Sequence, residues 1–207
     1  MKLLDQITQK DVNLNRAEEI RRVRTLLLQN ENMNVVHFVN SNQSQSISKV
    51  ILDVAKSFSI IGKKTVFVNI NLRQKLENIT IEEETVFNGI EKYLLNQSTL
   101  NQLLIHESEN FDVITNKDTF DNSTDLLNEK QLEVLINNLK NNYDYVFLAT
   151  PSLTECYDAL IVGKFCDGII YVKEDRRPSK SVLSKHASLI KELNKPVVGL
   201  LISNIEV

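Results

Sequence analysis

Six short runs of apolar and β-branched residues recur along the chain: VVHFVN (35–40), TVFVNI (65–70), FDVIT (111–115), DYVFLA (144–149), GIIYV (168–172) and VVGLLI (197–202). Strands that are continuously apolar, rather than alternating, are buried on both faces, which requires helices on both sides of a mostly parallel sheet. The segments between the runs supply such helices. Ile47, Val50, Ile51, Val54, Ala55 and Phe58 recur at helical spacing, as do Leu126, Leu127, Leu132, Leu135, Ile136 and Leu139. The expected class is therefore α/β, a three-layer, doubly wound, mostly parallel sheet. The punctuation agrees: Gly62 stands just past a helix with Lys63 and Lys64 near its negative end, Ser123 or Thr124 offers an N-cap, and Pro196 precedes the last run. Residues 73–110 are the loosest part, with polar NITIEEE followed by one or two helices.

A chain of 207 residues suits one such domain better than two. Its 24 basic and 27 acidic residues are well mixed and give a net charge of −3, which argues against a nucleic-acid partner. No apolar run approaches the roughly 18 residues needed to span a bilayer, and the start, MKLLDQITQKD, lacks a signal-peptide core. A cytoplasmic protein without direct membrane insertion is expected. Cys156 and Cys166 read as reduced thiols, and His37, His106 and His186 have no mutual spacing that suggests a metal site.

In folds of this class ligands bind beyond the carboxyl ends of the strands. A phosphate loop there needs glycines that turn backbone N–H groups inward and a lysine for the β- and γ-phosphates. After the first run the chain reads SNQSQSIS, with Ser44 and Ser46 instead of glycine and Ile47 in the lysine place. Ser48 stands where a magnesium-binding hydroxyl would be, although a serine at a helix start is more often a cap or near-cap. Lys49 is two positions past the lysine place, which on a helix turns it roughly 200° away. Asn69 and Asn71 occupy a pair of positions that would hold carboxylates, and Ala149 occupies that of a metal-orienting aspartate. Charge-assisted contacts are worth roughly 1.5–3 kcal/mol each, so tight Mg·ATP binding is not expected from these residues.

Taken together, EEIRRVRTLLLQN, IIGKKTVFVNINLR, NGIEKYLLNQSTLNQLL, STDLLNEKQLEVLINNLKNNYDYVFLATPSL, YDALIVGKFCDGIIYVK and KPVVGLLISN resemble, in order and spacing, the bacterial tyrosine kinases of capsule and exopolysaccharide assembly. These are relatives of the ParA/MinD-type P-loop ATPases. The resemblance implies a P-loop NTPase-like fold over 1–207, with an amino-terminal oligomerisation region at 1–30 and a core at 31–207. It makes SNQSQSIS a degenerate Walker A loop. FVNINLR becomes a second Walker motif that has lost both aspartates but keeps Arg73, and Ala149 marks a lost Walker B aspartate. The family's ring-forming ExxRxxR motif matches Glu18, Arg21 and Arg24. A tyrosine-rich tail is expected of the family, whereas this chain reads SNIEV.

From these losses the expectation is a protein that is not an enzyme: a pseudokinase without catalytic residues, cofactor or metal. It would dock as a regulatory subunit on a membrane chain-length regulator, and join itself or an active relative through Glu18, Arg21 and Arg24. The alternative is a divergent but active ATP-dependent tyrosine kinase of the same system. A ParA-like positioning protein is a third reading, weakened because it too needs the phosphate loop.

Overall fold

The computed structural model describes residues 16–40, 45–76, 87–127, 129–153, 156–173 and 180–202. Seven strands form one sheet in the order β3-β4-β2-β5-β1-β6-β7. They are β1 (Val35–Asn40), β2 (Thr65–Asn69), β3 (Ile105–Ser108), β4 (Phe111–Ile114), β5 (Tyr145–Ala149), β6 (Gly168–Lys173) and β7 (Val197–Ile202). Every neighbouring pair is parallel except β3 with β4. Six strands lie where the apolar runs place them. β3 is additional, and its burial pattern alternates because it is an edge strand.

Alternation along each strand feeds two separate helical layers. Val35 and Val39 of β1, Val66 and Val68 of β2, and Val146 and Leu148 of β5 enter one apolar cluster. It is closed by α3 (Ile90–Leu94), α5 (Glu129–Asn142), α6 (Asp158–Gly163) and α7 (Lys180–Glu192). Val36, Phe38, Phe67 and Phe147 enter the opposite cluster, closed by α1 (Arg16–Leu28) and α2 (Gln45–Ile60). There Phe147 meets Phe38 edge-on at 5.6 Å and Phe58 at 5.1 Å between ring centres. Full burial of one such side chain contributes roughly 1.5–3 kcal/mol, so the central strands are the most strongly anchored part of the sheet.

The helix expected from Leu126 to Leu139 is divided into α4 (Ser123–Leu126) and α5. Ser123 and Thr124 sit inside α4 and are not its N-cap, a place taken by Asn122. Their hydroxyls donate instead to the two carboxylate oxygens of buried Asp158, each at 2.5 Å, which ties α4 to the start of α6. Gly62 does end α2 as expected, with a left-handed φ of 80° that favours glycine. Among the described residues no helix is long and apolar enough to cross a membrane.

Candidate functional site

The carboxyl ends of β1, β2, β4 and β5 meet at the middle of the sheet, and the residues there are polar but almost uncharged. Asn40, Asn69, Asn71, Thr115, Asn116 and Thr150 are all buried. Each is among the first polar residues after an apolar run, the one local signal that could have singled out Asn40, Thr115, Asn116 and Thr150 in advance.

Hydrogen bonds explain why amides occupy these places. Asn69 Nδ2 donates to Thr115 Oγ1 at 3.2 Å and to Asn116 Oδ1 at 3.1 Å. Asn69 Oδ1 accepts from the Asn71 backbone N–H at 3.4 Å, and Asn71 Oδ1 from that of Arg73 at 3.1 Å. Asn116 Nδ2 in turn donates to the Gln74 and Asp118 carbonyls at 3.1 and 3.0 Å. The segments following β2 and β4 are thereby laced together. An aspartate at 69 would set an acceptor against the Asn116 acceptor. Asn69→Asp is therefore expected to lower stability by about 1–3 kcal/mol at neutral pH, read from urea unfolding, and to recover part of that loss in acid.

On β1, Asn40 Nδ2 donates to the Thr150 carbonyl at 2.9 Å, and His37 Nε2 lies 2.9 Å from Thr150 Oγ1. The Ile70 N–H donates to the Ala149 carbonyl at 2.7 Å, so the backbone at the Walker B position is already engaged. Among the described residues, Asn40 Oδ1, His37 Nδ1 and Arg73 Nε are buried side-chain atoms without a hydrogen-bond partner.

Ser44 lies outside the described residues, whereas Ser46, Ile47 and Ser48 all belong to the first turn of α2. Ile47, in the lysine place, is fully buried and shares an apolar cluster with Phe38, Ala149 and Val172. Ser48 is half-buried and Lys49 exposed. On α1, Arg21 pairs with Glu18 on an exposed face. Arg24 does not extend that pair: its Nη1 donates to the Ser57 carbonyl of α2 at 2.9 Å.

The three histidines have separate partners, Thr150 for His37, Asp112 for His106 and Tyr171 for His186. Among the described residues no cluster of three His, Cys, Asp or Glu side chains could hold a metal. Burial pushes the Cys166 thiol up to about 11 and does the same for Cys156, where the nearby Arg73 cation pulls the other way. Both thiols are expected to resist iodoacetamide near neutral pH in the folded protein and to be alkylated in urea, as mass spectrometry would report.

No family model matches the chain. Against individual proteins, it is 22% identical over 206 residues to tyrosine-protein kinase CpsD of Streptococcus pneumoniae serotype 4, covering 98% of this chain and 91% of that one. It is 20% identical to the putative tyrosine-protein kinase CapB of Staphylococcus aureus, covering 92% and 85%. The chain is similar to bacterial tyrosine-protein kinases. The fold matches the chimerical protein CapA2B2 with a TM-score of 0.81 at 22% identity, covering 95% of this chain and 88% of that one. It matches the kinase domain of Escherichia coli tyrosine kinase ETK at 0.80 and 21%, covering 91% and 75%. MinD of Pyrococcus horikoshii, complexed with Mg-ADP, matches at 0.65 and 16%, covering 81% and 68%. The chain thus shares its α/β fold with these kinase domains and with MinD.

The expectation that the chain is not an enzyme is corrected by these relatives, which are named tyrosine-protein kinases and point to an enzyme. Missing charges are not by themselves missing chemistry. They establish only that particular groups are absent from particular positions. They do bear on the metal. The fold family implies magnesium, but Asn69, Asn71 and Ala149 supply no carboxylate for it, and Ser48 alone does not fit the requirement.

Proposed function

We propose that this chain is a divergent ATP-dependent protein-tyrosine kinase of capsular or exopolysaccharide biosynthesis. The observation that carries the reading is a match over 98% of this chain to 91% of a protein named tyrosine-protein kinase. The strand-end frame and the cation of Arg73 support it. A tyrosine hydroxyl would attack the γ-phosphorus of ATP and ADP would leave, with the site contributing position and electrostatic stabilisation. Because the carboxylates are replaced by amides and alanine, turnover is expected to be slow.

The proposal includes docking on a membrane chain-length regulator, as the resemblance implies, and self-association through the helix bearing Glu18, Arg21 and Arg24. The exposed Glu18 and Arg21 are the groups available for that contact, since Arg24 is engaged by α2. The test is to incubate the chain with ATP, in magnesium and in EDTA, with and without the cytoplasmic part of the regulator. Phosphotyrosine is then sought by mass spectrometry. Its accumulation supports the kinase reading; no phosphotyrosine and no ADP release in any mixture would overturn it. Sedimentation of the wild type against Arg21→Glu tests the association separately, with a smaller assembly expected for the variant.

A further inference from the structure

We infer that this site holds nucleotide phosphate without a divalent cation. The inference rests on the kinase reading for the presence of a nucleotide and deepens it by stating how the phosphate charge is met.

Magnesium in nucleotide sites is held by one or two carboxylates together with substrate phosphates. Here the acidic places at the end of β2 and two residues beyond it carry Asn69 and Asn71, and the one ending β5 carries Ala149. The amide oxygens of Asn69 and Asn71 already accept backbone N–H groups at 3.4 and 3.1 Å. They are neutral ligands that the fold has put to another use.

The same substitutions change the charge the phosphate meets. Carboxylates at these positions would repel a bare di- or triphosphate and make the metal a necessary mediator. Amides and a methyl group remove that repulsion. Arg73 is retained, a permanent cation whose Nε is buried and has no hydrogen-bond partner among the described residues. A guanidinium satisfies phosphate oxygens directly and needs no bridging ion. Loss of the acids and retention of the arginine therefore point the same way, to positive charge supplied by the protein.

The test is a titration of the full chain with N-methylanthraniloyl-ADP, in excess magnesium chloride and in excess EDTA. The dissociation constants are expected to agree within about threefold. Binding weaker in EDTA by more than about tenfold would overturn the inference and leave the kinase reading standing. No binding in either buffer would overturn the kinase reading, and the inference with it. Arg73→Gln is expected to weaken binding by about tenfold in both buffers, and an unchanged affinity would remove Arg73 from the assignment. Asn71→Asp is expected to weaken binding in EDTA by about tenfold and to recover with magnesium. An EDTA affinity unchanged by that variant, with its fold verified by circular dichroism, would refute the charge argument. Should the variant not fold, the wild-type comparison decides.

Discussion

Ile47→Lys is expected to lower the unfolding free energy by about 3 kcal/mol or more, because it removes a buried aliphatic side chain and brings an ammonium into the same space. Ile47 is fully buried, on a helix turn whose apolar cluster also takes in Phe38, Ala149 and Val172. Ile47→Ala, which adds no charge, is expected to cost about 2–5 kcal/mol through the cavity it leaves. Urea unfolding of the two variants beside the wild type measures both effects. If Ile47→Lys were as stable as the wild type and bound nucleotide more tightly, the position would be a phosphate-facing place that happens to hold isoleucine. The cluster described above would then be misassigned as core.

The second large effect is acid sensitivity centred on His37. This residue lies fully buried in β1, and burial lowers its imidazole from the ordinary 6.5 to about 3. Between those values the unfolded chain takes up a proton that the folded chain does not. The contribution is therefore fully present above about pH 6.5 and is lost as pH falls towards 3. Within that window the loss is about 1.4 kcal/mol per pH unit. His186 is lowered as well, by burial and then by Lys185, and adds loss of the same sign. His37→Gln is expected to flatten the slope between pH 6.5 and 5, above the range in which most carboxylates titrate. An unchanged slope in that interval would show that His37 is protonated in the fold or that its proton is taken up elsewhere.

The fold was largely legible because it is written in local patterns. Six runs of apolar residues became six strands, since a strand buried on both sides has to be apolar throughout. β3 escaped notice for the converse reason. In IHES only Ile105 is buried, so the segment carries no apolar run to detect. The substituted positions at the ends of β2 and β5 were also legible, because their places relative to the strands follow from sequence order.

What they do was less legible. Asn69 donates to Thr115 and Asn116, 46 and 47 residues away, and no local pattern announces such partners. Ser123 and Thr124 misled in the same way: hydroxyls near a helix start suggest capping, but a buried carboxylate from another helix claims both. Three residue types at the Walker positions do not speak for the whole molecule. Kinship is spread thinly over the full length and is not concentrated in the Walker positions.

The short strand β3 also decides how the sheet can meet other molecules. It runs antiparallel at one margin, its pairing with β4 is irregular between His106 and Ser108, and it presents His106 and Ser108 to solvent. Polar side chains and a broken register deny an incoming strand a continuous template. Growth of the sheet by strand addition is blocked on that flank, and replacing His106 and Ser108 with valine would turn a guarded border into an adhesive one.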